Sequence, residues 1–273
     1  SSILEVGGTT AYLAVDGTGG NNSYQWKKDG VDITGATNPT LSITDLNASQ
    51  HEGNYTVMVR NAFGSATSSV AQIDVNGSLS EGLVGWWKFV GDANDTSGND
   101  NHGIVNGATL TTDRFGNVDS AYLFDGTSPY ILISNDFGST VTISIWISKY
   151  NDIGEMVWCF GNQGTGPDLL VTENKISLNT WDSTSNSFGN FVHESNKWYN
   201  FVTIISSDNT KQYVNGDLLG AASYRSPAGK DFYISMKESG QGDYAWTGLL
   251  DDVRIYDRAL SAEEVQALYN LGQ

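Results

Sequence analysis

Apolar residues recur at every second position along most of this chain, in short runs broken by glycine, asparagine, aspartate and serine. TLSITDL (40–46), GNYTVMVRNAFG (53–64), TISIWIS (142–148) and NKWYNFVTI (196–204) all carry this period of two, the mark of a half-buried β-strand. Asn215-Gly216 between two such runs predicts a tight hairpin. A helical period emerges only at the end, in WTGLLDDVRIYDRALSAEEVQALYNLG (246–272). There Leu249, Val253 and Ile255 line one face of a strand, Asp251 falls among them, and Asp252 points the other way. Ser261 and Glu264 form a capping box, Val265, Leu268 and Tyr269 share one helix side, and Gly272 is placed to end the helix. An acidic side chain on an apolar strand face needs a partner. The pattern therefore predicts an all-β protein with one short C-terminal helix.

The pattern also divides the chain. Residues 1–76 read as one series of strands, VNGSLSEG (75–82) supplies a Gly/Ser linker at 77–82, and residues 83–273 form a second series. In the second, Trp86 and Trp87 must face opposite ways, so at most one of them is core.

Composition narrows the function. With 14 Lys and Arg against 31 Asp and Glu, the net charge is −17, which disfavours nucleic acid and anionic membrane surfaces as partners. Solubility and attraction of divalent cations are both compatible with that charge. No apolar run approaches the roughly 18–20 residues that span a bilayer. The Ser1-Ser2 start reads as a fragment excised from a longer protein. The single cysteine, Cys159, excludes an intrachain disulfide, and its run MVWCF (156–160) suits a buried thiol better than a nucleophile.

Two family resemblances accompany these patterns. LVGWWKF (83–89), DTSGNDNHG (95–103), SAYLFDGTSPYILI (120–133), TISIWIS, NKWYNFVTI, QYVNGDLLG (212–220) and the closing segment resemble, in order, the laminin-G-like, concanavalin A-type jelly-roll modules of bacterial secreted proteins. The first region is similar to bacterial immunoglobulin-like domains, with Trp26 at the core tryptophan and Tyr55 at the tyrosine corner. That resemblance puts the two disulfide cysteines at about Val15 and Val57, so apolar packing stands in for the bridge. Together they imply an immunoglobulin-like β-sandwich followed by a concanavalin A-like jelly roll; the first, without clustered titratable groups, reads as a spacer, with a protein-interaction role as the alternative.

The sequence presents three kinds of candidate site. The loop GDANDTSGNDNHG carries oxygen-bearing side chains at nearly every position, a composition suited to a hard cation such as calcium or to plain Asx turns. The jelly-roll resemblance, in which such a loop neighbours the closing strand around a structural calcium, implies Asp95, Asn99 and Asp251 as ligands, and spacing adds Asp92. For catalysis, jelly-roll glycosidases use carboxylates in a Glu-x-Asp-x-(x)-Glu strand, and no such triplet occurs. His51, His102 and His193 are scattered, without a serine or cysteine motif. Among the aromatics, Trp158 and Trp181 are unexplained by core pattern or resemblance: Trp158 alternates away from Val157 and Cys159, and Trp181 borders the polar DSTSNS (182–187). Exposed rings of this kind stack on sugars, with Tyr130, His193 and Arg225 as candidate polar partners.

The expectation from sequence is thus non-catalytic binding of a polysaccharide or oligosaccharide, by an accessory module of a secreted or cell-surface bacterial polysaccharide-degrading enzyme. The alternative is an adhesion or protein-binding module of a bacterial surface protein, and the third class is a polysaccharide-cleaving enzyme.

Overall fold

A computed structural model describes residues 2–150, 155–161, 166–172, 175–179, 186–223, 226–235 and 245–273. They divide into two compact units, Ser1–Glu81 and Gly82–Gln273.

The first unit contains β1 (Ser2–Gly7), β2 (Ala11–Ala14), β3 (Ser23–Lys28), β4 (Val31–Asp32), β5 (Thr40–Ile43), a turn of helix α1 (Ala48–His51), β6 (Gly53–Asn61), β7 (Gly64–Thr67) and β8 (Ala71–Ser78). Its larger sheet runs β1-β8-β6-β3-β4, with β7 beside β6, and β2 pairs with β5 in a second, small sheet. Ala11 and Leu13 of the small sheet pack with Trp26, Tyr55, Val57, Ile73 and Val75 of the large one, and Val15 joins this cluster from its edge. The Trp26 indole donates to the Asn38 carbonyl at 2.9 Å, and the Tyr55 hydroxyl donates to the His51 carbonyl at 2.9 Å. Strand β8 runs on to Ser78, into the stretch the sequence assigns to a linker.

The second unit is a two-sheet sandwich. Its strands are β9 (Leu83–Trp87), β10 (Ile104–Asn106), β11 (Thr109–Thr111), β12 (Ala121–Asp125), β13 (Tyr130–Ile133), β14 (Val141–Lys149), β15 (Glu155–Phe160), β16 (Asp168–Thr172), β17 (Lys175–Asn179), β18 (Asn186–Asn190), β19 (Trp198–Ile205), β20 (Thr210–Val214), β21 (Asp217–Ala222), β22 (Phe232–Ile234) and β23 (Thr247–Tyr256), followed by helix α2 (Ala262–Leu271). Among the described residues one sheet is ordered β10-β13-β22-β15-β16-β17-β18. The other is ordered β11-β12-β23-β14-β19-β20-β21, with β9 also pairing β23. Their facing sides meet in one core that includes Trp87, Phe124, Ile143, Phe201 and Val253 from one sheet and Ile133, Phe160, Leu169 and Ile234 from the other. The Asn215-Gly216 turn joins β20 and β21 with both residues at positive φ, 51° and 86°, as a twisted two-residue hairpin requires. The capping box forms as its sequence predicts: Ser261 accepts from the Glu264 backbone and Glu264 from that of Ser261. The Arg258 guanidinium grips the Glu264 carboxylate with both its terminal nitrogens, at 2.8 and 2.6 Å.

Two irregularities in the strands change which side chains are core. Met156 lies opposite Leu170 but Trp158 lies opposite Leu169, so β15 carries an extra residue at Val157. A bulge of this kind breaks the alternation, and Val157 and Trp158 both enter the core. In β23, Asp251 lies opposite Trp146 and Arg254 opposite Ser144, one residue more on β23 than on β14. The bulge falls at Asp252, whose φ is 45°. Leu250, Val253 and Ile255 therefore face the core, Leu249 does not, and the Asp251 side chain lies on the outer side of the sheet. The alternation expected for Leu249, Asp251 and Val253 is corrected accordingly.

Trp158 is 0 % exposed and packs edge-on to Phe160 and tilted against Phe232. Trp158→Ala is expected to cost about 3–5 kcal/mol through lost contacts and the cavity left behind. Urea unfolding measures this directly, and a loss below about 0.5 kcal/mol, as for surface changes, would contradict a core position.

Candidate functional site: the outer face of the seven-stranded sheet

Ile131, Ile133, Phe232 and Ile234 of β13 and β22 point into the core, so the residues between them point away from it. This puts Tyr130, Leu132 and Tyr233 on the outer face. The cross-strand register extends the strip, with Ile104 opposite Leu132, Asn106 opposite Tyr130, and Leu132 opposite Tyr233. The two tyrosine rings stand 6.0 Å apart between centroids at 59°, half-buried, forming a notch of two inclined ring faces. Ile104 is 57 % exposed and gives the notch an aliphatic flank. At one end the Asp231 carboxylate accepts from the Ser134 hydroxyl at 2.8 Å, and at the other stands the exposed Asn106 amide. A strip with two aromatic faces and hydrogen-bonding groups at both ends can stack on a sugar ring while binding its hydroxyls. Toward the middle of the sheet the same face is closed: Cys159, opposite Tyr233, and Asp168, opposite Cys159, are buried. Burial, and then the nearby Asp168 charge, push the Cys159 thiol above its ordinary range, as befits an inert thiol.

Of the residues singled out from sequence as sugar contacts, Tyr130 lies in this strip. Trp158 does not, because the β15 bulge turns it into the core, and its role as an exposed platform is corrected. His193 is buried, in the segment leaving β18. Because β18 and β13 are five strand positions apart, roughly 24 Å, His193 is not a partner of Tyr130. Trp181 and Arg225 lie outside the described residues. For Tyr233 the sequence carries a signal in DFYIS (231–235), where an unbroken alternation turns the residue between two core positions outward.

The polar loop after β9 satisfies itself. Asp95 Oδ1 accepts from the backbone of Trp86 at 2.9 Å and of Ser97 at 2.8 Å. Its Oδ2 accepts from the Ser97 hydroxyl at 2.9 Å and the Asn101 backbone at 3.0 Å. Burial alone would raise the Asp95 pKa, but these donors outweigh it and hold the carboxyl below its ordinary value. Asp92 caps Asn94, and the exposed Asn99 donates to the Leu83 carbonyl at 3.1 Å. Asp251 bonds the Arg114 guanidinium instead of facing this loop. Among the described residues no group of three or more His, Cys, Asp or Glu side chains converges as a metal site. Asp92, Asp95, Asn99 and Asp251 therefore do not fit a shared calcium ion. Asp95 spends its oxygens on N–H and O–H donors, and Asp251 already faces a cation. In the fold as it stands, hydrogen bonds hold the loop and an ion pair holds Asp251.

Residues 124–266, just over half of the chain, match the family described as the concanavalin A-like lectin/glucanases superfamily, in its laminin-G form. The chain belongs to this superfamily. Solved structures share the fold. Domain 4 of an extracellular arabinanase from Geobacillus stearothermophilus, solved with arabinotriose, is similar at 17 % identity and a TM-score of 0.56, over 68 % of this chain and 98 % of that one. The binding domain of Paraclostridial Mosquitocidal Protein 1 is similar at 19 % identity and a TM-score of 0.56, over 71 % of this chain and 53 % of that one. The botulinum neurotoxin serotype D/C binding domain is similar at 14 % identity and a TM-score of 0.55, with 71 % and 53 % covered. The match thus spans about half the length of these toxin domains. No curated protein sequence gives a significant match.

The buried carboxyl of Asp251 has a consequence for stability. Burial raises its pKa to about 7, the Arg114 charge opposing and the neighbouring Asp252 adding to the rise. The folded protein thus holds a proton there that the unfolded chain releases near the ordinary carboxylate value of 3.8. Its contribution is full below that value and lost as pH rises through about 7. Asp251→Asn should therefore gain on wild type, in urea-unfolding stability, as pH is raised from about 4 to about 8. A difference that stays constant over that range would show that Asp251 does not titrate there.

Proposed function

We propose that this chain is a non-catalytic carbohydrate-binding region of a secreted bacterial polysaccharide-degrading enzyme, and that glycan lies on the Tyr130–Tyr233 strip. The observation that carries the proposal is the pair of half-exposed, inclined tyrosine rings between Asn106 and Asp231, beside the buried middle of the sheet face. Family membership supports it, as does the arabinotriose bound to the similar arabinanase domain. A net charge of −17 favours a neutral glycan and argues against nucleic acid or an anionic membrane as partner. No described helix is long and apolar enough to cross a membrane. The first unit is proposed as an immunoglobulin-like spacer, on the strength of the core position of Trp26 and the Tyr55–His51 corner.

Losing one ring should weaken binding about tenfold or more, since stacking adds roughly 0.5–1.5 kcal/mol beyond area burial and 1.4 kcal/mol is a factor of ten. Retardation of the protein in gels containing plant and algal polysaccharides identifies the glycan, and isothermal titration then compares wild type with Tyr130→Ala and Tyr233→Ala. Both variants binding like wild type would remove the strip from consideration. Release of reducing ends by highly purified protein would overturn the non-catalytic assignment.

A further inference from the structure

The outer side of the eight-stranded sheet carries a second concentration of charge, remote in kind from the glycan strip. Arg114, in the connection between β11 and β12, extends beneath the end of α2. Its Nη1 donates to Asp251, its Nη2 lies 3.3 Å from an Asp252 oxygen, and its Nε donates to the Gly272 carbonyl at 3.0 Å. The guanidinium carbon stands 4.5 Å from the centre of the Phe115 ring and 4.6 Å from that of Trp146, so two aromatic faces shield it. Trp146 stacks in turn on Tyr269 of α2, at 5.9 Å. The arginine side chain is only 9 % exposed.

Two carboxylates and a main-chain carbonyl are the oxygen set that a hard divalent cation seeks. Here a side chain of the same chain supplies the positive charge. The set also reaches the polar loop. Asp252 accepts from the Trp86 indole at 2.7 Å and from Arg254 at 3.1 Å. The Trp86 backbone bonds Asp95, and its carbonyl accepts from the Thr96 backbone at 2.8 Å and the Thr96 hydroxyl at 2.9 Å. Loop, closing strand and C-terminal helix are thereby joined through groups of the chain itself. A planar fork fits this arrangement, since it addresses the two carboxylates and the helix-end carbonyl at once.

We propose that Arg114 is a built-in cation that locks α2 and the polar loop onto β23, so that the closure of this sandwich is independent of calcium, and that removing the arginine uncovers a latent cation-binding site. The whole chain, kept in weakly alkaline buffer where Asp251 is ionised, provides the test through thermal unfolding. Wild type should melt at one temperature in chelator and in millimolar calcium, because an ion that does not bind the folded state cannot shift it. Arg114→Ala should lower the melting temperature by on the order of 10 °C. Methylguanidinium at low concentration should restore part of that loss saturably, and should not do so in the double variant Arg114→Ala/Asp251→Asn. Arg114→Lys, which keeps charge but loses the fork, should melt below wild type and covers the case in which the alanine variant fails to fold. Stabilisation of wild type by calcium, a lysine variant as stable as wild type, or equal rescue of the single and double variants would each overturn the proposal.

Discussion

Two adjacent aspartates in the middle of a sheet set the terms for much of the second unit. Strand β23 lies inside its sheet between β12, β14 and β9, and the Asp251 and Asp252 side chains are only 4 % and 15 % exposed. A carboxylate there must be matched by a cation or stay protonated. The bulge at Asp252 turns both acids to the outer side, where Arg114, Arg254 and the Trp86 indole receive them. The same bulge brings Val253 and Ile255 into the core. One inserted residue thus separates the charged layer from the apolar one.

The outer faces of the two sheets do different things. That of the eight-stranded sheet is occupied by α2, with Trp146 against Tyr269 and Arg114 at the helix end. That of the seven-stranded sheet stays open at the β10-β13-β22 end, where the tyrosine notch lies. The core between the sheets supplies rigidity to both, since Ile131, Ile133, Phe232 and Ile234 anchor the strands that present the notch. A binding face held on paired strands loses little order on meeting a glycan, which favours affinity from a small contact area.

Arg114 and the polar loop precede residue 124, outside the stretch that matches the family, whereas Tyr130, Asp231 and Tyr233 lie inside it. The family match therefore accounts for the scaffold of the proposed glycan strip but not for the internal cation. The acidic surface is compatible with both, because the charges that matter are paired locally. Asp95 is held ionised by hydrogen-bond donors, whereas burial raises the Asp251 carboxyl against the opposing charge of Arg114.

From the sequence alone one can read the all-β class, the single capped helix, the Asn215-Gly216 hairpin, the opposed faces of Trp86 and Trp87, and a cysteine buried as a hydrophobe. All of these rest on local rules: a period of two, a capping box, left-handed turn residues. The sequence also posed the question of what Asp251 pairs with. Its answer, Arg114, lies 137 residues away and has no spacing signature. The errors at Trp158 and Leu249 share one cause, since each bulge inserts a residue and reverses the alternation beyond it. Whether a strand bulges depends on the register of its neighbours, here β16 for β15 and β14 for β23. That register is fixed only when the two sheets close over a common core, and so only the tertiary structure decides which aromatic rings and which carboxylates face outward.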